Sequence, residues 1–456
     1  NSLWWTLGVI SRGLDPALVY QLARAVLVVA FVAVLWWFLG LLLEDRLQRR
    51  ACLIITVFGG GFATVFSLLN LSWDGGAPAG TSALNVLELL TWPSLAVYPH
   101  FIAALVLLLG MVGLTVKAFA ATRNAYRYAC GAGLLGALVA SFHLFDVATA
   151  VAVVGGYALL SKRAGCAPRG LPGLLAMILL PGVIVGAAVA HGISASPVGR
   201  LWSASNVMPS PSPFAVAVAL GVPLLLALSD HRRLLHWHEK NLRSLLAPAW
   251  FLANVLVVYT DTVIPFERRL LMGLQIPVAI LAVQAWGESV IPAWQRWRAR
   301  SGDSSRLPSA VAWGLLVLLV LPQTISTGMV LAGRGGNHEE CLSEDLLQLC
   351  GRLSTAPAGA VLCEGAIGNW LPRLTGRAVY VGHSFLTPHY AERLEQMRAF
   401  FAPATRDVER IALLRQAGCA LLLAKRSQRP ALQGLLRAQV LTPLLGSVDY
   451  EVYRIN

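Results

Sequence analysis

Long apolar blocks separated by short polar gaps fill residues 17–333, and the pattern changes after residue 337. The first part predicts ten helical segments, at 20–43, 51–71, 96–116, 126–141, 144–161, 171–192, 213–229, 245–260, 270–287 and 309–332. A bilayer crossing takes roughly 20 predominantly apolar residues, and several segments reach that length. The pair 126–141 and 144–161 is split at Ser141-Phe142-His143. One helix across both would exceed a single crossing, so the pattern favours two. Residues 1–16, with Trp4, Trp5 and Asp15-Pro16, read as an interfacial lead-in to the first span, because Trp collects at headgroup boundaries. Gly59-Gly60-Gly61 in the second segment permits close helix approach.

Residues 337–456 alternate instead. Helices are predicted at 341–354, 389–401, 405–417 and 429–438. Strands are predicted at Ala360–Cys363, Ala378–Val381 and Ala420–Leu423, with a closing pair near 440–445 and Tyr450–Tyr453. Continuous apolar strands between helices predict a small, mostly parallel α/β sheet. Basic and acidic residues occur there in similar numbers, as on a soluble domain. The fold class expected is thus a polytopic α-helical membrane protein with about ten transmembrane helices and a C-terminal extracytoplasmic α/β domain. Its parts are the lead-in 1–16, the helical domain 17–333 and the soluble domain 337–456.

Charge fixes an orientation for this arrangement. Five gaps hold Arg46/Arg49/Arg50, Lys117/Arg123/Arg127, Lys162/Arg163/Arg169, Arg232/Arg233/Lys240/Arg243 and Arg296/Arg298/Arg300/Arg306, 17 basic residues in all. The intervening gaps hold four: Arg12, Arg200, Arg268 and Arg269. Basic residues flanking spans stay on the cytoplasmic side. Ten spans therefore place both ends of the chain outside. The chain is 56% hydrophobic and 13% charged, against about 25% charged for a soluble domain. Its net charge of +13 is spread over short loops, without the basic stripe interleaved with aromatics that a nucleic-acid groove needs. The chain opens on Asn1 without a signal-peptide pattern, which reads as a processed or N-terminally incomplete chain. The seven cysteines are scattered without metal-ligand spacing. Cys363 and Cys419 head predicted core strands, where packing is the ordinary role and a disulfide stays open.

Polar groups at membrane depth are costly and so are functional candidates. On the outer side these are Asp74, Glu88, Tyr98-Pro99-His100, His143, Asp146, Asn206, Asp261, Glu267, Arg268 and Arg269. Each has a plainer reading: Asp74 in a Trp-Asp-Gly-Gly turn, His100 at a helix start, and Asp146 capping the helix it opens with His143 in the turn. Arg268-Arg269 breaks the charge asymmetry at a helix entrance. Two guanidiniums there suit a phosphate by bidentate charge-assisted hydrogen bonds, unless Glu267 neutralises one. In the soluble domain, Glu364 and Gly382-His383-Ser384 follow predicted strands, where open α/β sheets bind ligands. No P-loop, nucleophile elbow or zinc motif is present.

Tyr98-Pro-His-Phe101, Phe142-His-Leu-Phe-Asp146, Asn206-Val-Met-Pro-Ser-Pro211, the stretch Ile264–Pro277 around Glu267-Arg268-Arg269, and Gly376–His383 together carry a resemblance. The chain resembles the bacterial integral-membrane glycosyltransferases of the GT-C superfamily, the protein-mannosyltransferase-like group. The resemblance implies transfer of a sugar, with inversion, from a polyprenyl-phosphate donor to an acceptor at the outer face of a bacterial plasma membrane. It implies Arg268 and Arg269 at the lipid phosphate. It leaves Asp74, Asp146 and Asp261 as candidates to orient sugar or acceptor, with His100, His143, Asn206 and Glu267 around the substrate. It also places the family's main catalytic acid upstream of Asn1. Some relatives bind a divalent metal, for which this sequence offers no complete site. The expected partners are the donor, membrane lipids and an acceptor of unassigned kind, with no nucleic acid. A transporter or flippase for a lipid-linked or anionic substrate, or a non-catalytic membrane scaffold, is the alternative. The former would call for internal repeats and charges within spans, whereas Arg24 is the only charge well within a predicted span.

Overall fold

The computed structural model describes residues 2–62, 72–73, 77–78, 88–205, 210–230, 241–259, 267–301, 308–322, 324–325, 328, 342–384 and 386–456. They divide into two compact units, residues 1–192 with 207–330 and residues 193–206 with 331–456.

The first unit is built of helices. α1, Ser2–Ile10, occupies much of the predicted lead-in. α2, Pro16–Leu42, opens at Asp15, whose carboxylate accepts the Leu18 N–H at 2.9 Å. Pro16 takes the first helical position, where a missing N–H costs nothing. There follow α3 (Arg46–Phe58), a short antiparallel pair β1 (Ser72–Trp73) and β2 (Ala77–Pro78), then α4 (Thr91–Val97), α5 (Pro99–Ala120), α6 (Ala125–Ala140), α7 (Phe145–Arg163) and α8 (Leu171–Ala195). After the short α9 (Pro197–Ser205), which belongs to the second unit, come α10 (Pro213–Ser229), α11 (Leu242–Val258) and α12 (Gln275–Ala285). α12 continues through a π-turn into α13 (Ile291–Arg300), and α14 is Ser309–Val320. Each of the ten predicted segments overlaps a helix. Among the described residues, five helical runs are long and apolar enough to cross a membrane: α2, α5, α7, α8 and Arg268–Arg300. α10, α11 and α14 are apolar but shorter. The predicted segment 51–71 is helical only to Phe58, and residues 63–71 lie outside the described residues.

Close packing holds this unit together. A Cβ on Gly113 would come within 2.5 Å of the Trp37 ring, so α5 can lie against α2 only with glycine there. Just after α3, Phe62 N–H reaches the Val218 carbonyl at 2.7 Å, and a Cβ on Gly61 would collide with that oxygen. The glycine run thus serves close approach. Gln275, buried at the start of α12, accepts the Thr91 N–H at 2.7 Å and donates to the carbonyls of Ile55 and Gly59 at 3.1 and 2.5 Å. One side chain so ties α12, the end of α3 and the start of α4.

In the second unit, α15 (Glu344–Ser354) precedes β3 (Val361–Leu362). Two short turns, α16 (Tyr390–Phe401) and α17 (Asp407–Ala417) lead to β4 (Leu421–Lys425). α18 (Arg429–Arg437), β5 (Leu441–Gly446) and β6 (Tyr450–Ile455) complete it. The sheet order is β3-β4-β6-β5. Only β3 and β4 pair in parallel among the named strands, while β6 runs antiparallel to both β4 and β5. The mostly parallel sheet expected from the sequence is therefore a mixed one. The reason is local: β5 and β6 are joined by Ser447–Asp449 alone, and so short a link can only return as a hairpin. The predicted strand Ala378–Val381 contributes one parallel bridge, Val379 to Val361. Beneath the sheet, Arg377 is buried and donates to the carbonyls of Leu353, Ala356 and Pro357 at 2.9, 2.6 and 2.6 Å. It thereby satisfies the C-terminal end of α15.

Candidate functional site

Two breaks in the helices of the first unit bring polar groups together inside an apolar core. The first is the turn between α6 and α7. α6 stops at Ala140, and the His143 N–H still bonds back to the Val139 carbonyl at 2.8 Å before α7 starts at Phe145. His143 is thereby folded under α7. Its Nδ1 stands 3.1 Å from Oδ2 of Asp146, and the two side chains are 3% and 0% exposed. Asp146 lies in the first turn of α7 but does not cap it, since neither carboxylate oxygen makes a hydrogen bond among the described residues. Its partner is the imidazole.

The second break is the 3₁₀ turn Glu267–Leu271. Asn254 on α11 holds it by donating to the Leu270 carbonyl at 2.6 Å. Gly273, at φ +80, then leads into α12, and an added Cβ there would come within 3.3 Å of the Trp250 ring; this backbone conformation favours glycine. The turn sets Arg269 against Phe145 of the α6–α7 break and Arg268 against Glu88. Arg268 meets Glu88, with Nε 3.3 Å from Oε2 and Nη2 3.4 Å from Oε1. The Arg269 guanidinium lies 4.5 Å from the centre of the Phe145 ring. It is within electrostatic reach of Glu88, Arg268 and Asp146. His100, the second residue of α5, packs at a tilt against the rings of Phe101, Trp4 and His143, at ring-centre distances of 4.5, 5.5 and 6.0 Å.

The result is a compact group of Glu88, His100, His143, Asp146, Arg268 and Arg269. Two carboxylates face two guanidiniums, so the formal charge is balanced when the imidazoles are neutral. The partner of Arg268 is Glu88, from a segment nearly two hundred residues away. The side chain of Glu267, the partner considered from sequence, lies outside the described residues. So do Asp74, Asn206 and Asp261. Glu88 was visible in the sequence as an acidic group on the outer side, but nothing local tied it to Arg268. Gln275 carried no signal beyond being polar in an apolar stretch. Among the described residues no three His, Cys, Asp or Glu side chains come together as a metal-ligand set. Chemically, the group can hold an anion at the guanidiniums and a hydroxyl at the Asp146–His143 pair.

In the second unit, Glu364 and His383 stand at the carboxyl ends of the parallel-paired segments. Cys350, Cys363 and Cys419 are buried and free. Burial pushes the Cys363 thiol up and that of Cys419 to about 11, so both stay protonated and act as core residues.

Neither a family model nor a curated protein sequence matches the chain. Solved structures of an Archaeoglobus fulgidus oligosaccharyltransferase are similar. The complex with zinc and sulfate aligns at 10% identity and a TM-score of 0.48, covering 95% of this chain and 59% of that one. The form tethered to an acceptor peptide with an NVT sequon aligns at 11% identity and 0.47, covering 88% and 57%. The complex with an inhibitory peptide and a dolichol-phosphate aligns at 10% and 0.45, covering 88% and 58%. This chain thus spans less than three fifths of the length of those proteins.

Proposed function

We propose that the chain acts as a membrane glycosyltransferase that takes its sugar from a polyprenyl-phosphate donor. The observation that carries the reading is the buried polar group between the α6–α7 break and the 267–271 turn. Six ionisable side chains inside a membrane-type helical unit are expensive to maintain, and packing alone does not call for them. In this reading Arg268 and Arg269 hold the phosphate of the donor. Asp146, oriented by His143, holds a sugar or acceptor hydroxyl. The acceptor oxygen forms the new bond to the anomeric carbon as the bond to phosphate breaks. The acceptor proton leaves to a base, and the departing phosphate keeps its electron pair beside the guanidiniums, which stabilise it. The Glu88–Arg268 pair keeps the arginine in place between turnovers.

The test is binding of polyprenyl phosphate to the full chain in nanodiscs, with Arg268→Ala, Arg269→Ala and Asp146→Asn. Losing a buried partner of a charged contact costs about 2–5 kcal/mol. Each arginine variant is therefore expected to bind the lipid at least about tenfold more weakly. Asp146→Asn should bind it nearly normally and lose transfer. If both alanine variants bind the lipid like the parent, the phosphate assignment is wrong.

A further inference from the structure

The end of the second unit's sheet where β3 and β4 finish is unusually rich in chemistry. β3 and β4 run parallel, so Glu364 and Lys425 emerge side by side, 2.9 Å apart. β6 is antiparallel to β4 with Tyr450 opposite Lys425, so Asp449 and Tyr450 start at the same end. The β5–β6 hairpin turns there as well, and Arg426 Nε donates to the Ser447 carbonyl at 2.9 Å. These groups, with the half-buried Trp370 from the turn after β3, line a cleft of about 570 Å³. A second cleft of about 880 Å³ adjoins it through Arg426.

The lining specifies the class of ligand. Pockets that hold small molecules run roughly 300–1,000 Å³, so the size is adequate. Glu364 and Asp449 oppose Lys425 and Arg426, and the cleft is close to neutral, which does not favour a polyanion. Trp370 and Tyr450 supply flat apolar faces with a polar tip. A sugar ring presents the complementary surface: an apolar face of C–H groups and a rim of hydroxyls that both donate and accept. The Glu364–Lys425 pair, with Gln428 donating to Glu364 at 2.5 Å, forms a held row of acceptors and donors suited to such a rim.

We propose that this cleft is a carbohydrate-binding site, occupied by a neutral oligosaccharide chain whose ring stacks on Trp370 or Tyr450 and whose hydroxyls meet Glu364, Lys425 and Asp449. The site lies wholly within the second unit and is independent of the phosphate assignment in the first.

The test uses the full chain in nanodiscs, free of sugar-based detergent, with maltohexaose, cellohexaose, mannohexaose and xylohexaose as probes. Binding is read by saturation-transfer NMR. At least one probe should bind. Trp370→Ala should weaken it about tenfold or more, the loss typical of a Trp at the centre of a binding surface. Glu364→Gln should weaken it less, and Trp370→Phe should retain most of it, which guards against an alanine variant that misfolds. Polyprenyl-phosphate binding should be unchanged in all three, so failure here is separate from failure of the phosphate assignment. The proposal is overturned if no probe binds. It is equally overturned if binding survives Trp370→Ala and Glu364→Gln in chains that still unfold cooperatively, or is lost only with Arg269→Ala.

Discussion

His143 and Asp146 are three positions apart, and their meeting follows from the local break that folds one under the next helix. Both residues stood out in the sequence, but as a helix cap and a turn residue rather than as partners. Glu88 with Arg268, and Gln275 with Thr91, Ile55 and Gly59, join residues about 180–220 positions apart, and no local pattern announces them. Gln275 is the residue on which a structural prediction can be made. Its amide meets three backbone groups in a buried, apolar setting; the Ile55 carbonyl keeps the Gly59 N–H as a partner at 2.8 Å, so at most two are orphaned without it, at about 1–3 kcal/mol each. Gln275→Leu should therefore destabilise the first unit by about 2–5 kcal/mol, within the range of severe core substitutions. The expected readout is a clearly lowered melting temperature in detergent. A variant that melts with the parent would show that these bonds contribute little to stability.

At the scale of elements, helix existence was well marked by apolar runs, and helix ends were less so. α3 stops at Gly59 because its carbonyls turn to Gln275 and its following backbone pairs with Val218, contacts supplied by other helices. In the second unit the β5–β6 hairpin is tied to α15 through Asp345. Its carboxylate accepts from the Ser447 hydroxyl at 2.7 Å and from the backbone N–H groups of Val448 and Asp449, both at 3.0 Å. These bonds, the hydroxyl first, hold the Asp345 carboxyl below its ordinary value of 3.8. A carboxylate lowered in the folded state adds stability that is present above its unfolded value and is lost as pH falls through the folded one. The hairpin should thus loosen on acidification below about pH 4. Asp345→Asn should reduce the steepness of the acid limb of unfolding while leaving the neutral-pH fold intact. Amide exchange at 447–450 reports it directly; equal pH dependence in parent and variant would remove Asp345 as the cause.

For the whole molecule, orientation is the property the charge pattern addresses. From the 17-to-four asymmetry of basic residues, the gaps around 232 and 298 are expected on the cytoplasmic side and position 74 outside. In a background without native thiols, Arg232→Cys and Arg298→Cys should be shielded from an impermeant thiol reagent in intact cells, and Asp74→Cys should label. Labelling at 232 would reverse the orientation, and with it the face at which the proposed donor would bind.

The sequence by itself determined the class of each part: apolar runs that must be helices in or beside a membrane, and a charge-balanced tail that alternates strand and helix. Hydrophobic length and periodicity are local quantities, and they survive without knowledge of neighbours. Tertiary structure decided what surrounds each polar group. Glu88 neutralises Arg268 and Arg269 stacks on Phe145 because separate breaks in the helices face each other across one core. The last two strands run antiparallel because their three-residue link leaves no room for a crossover. Trp370, Glu364, Lys425 and Tyr450 share a cleft because the directions of β3, β4 and β6 bring the ends of three strands distant in sequence to the same end of one sheet.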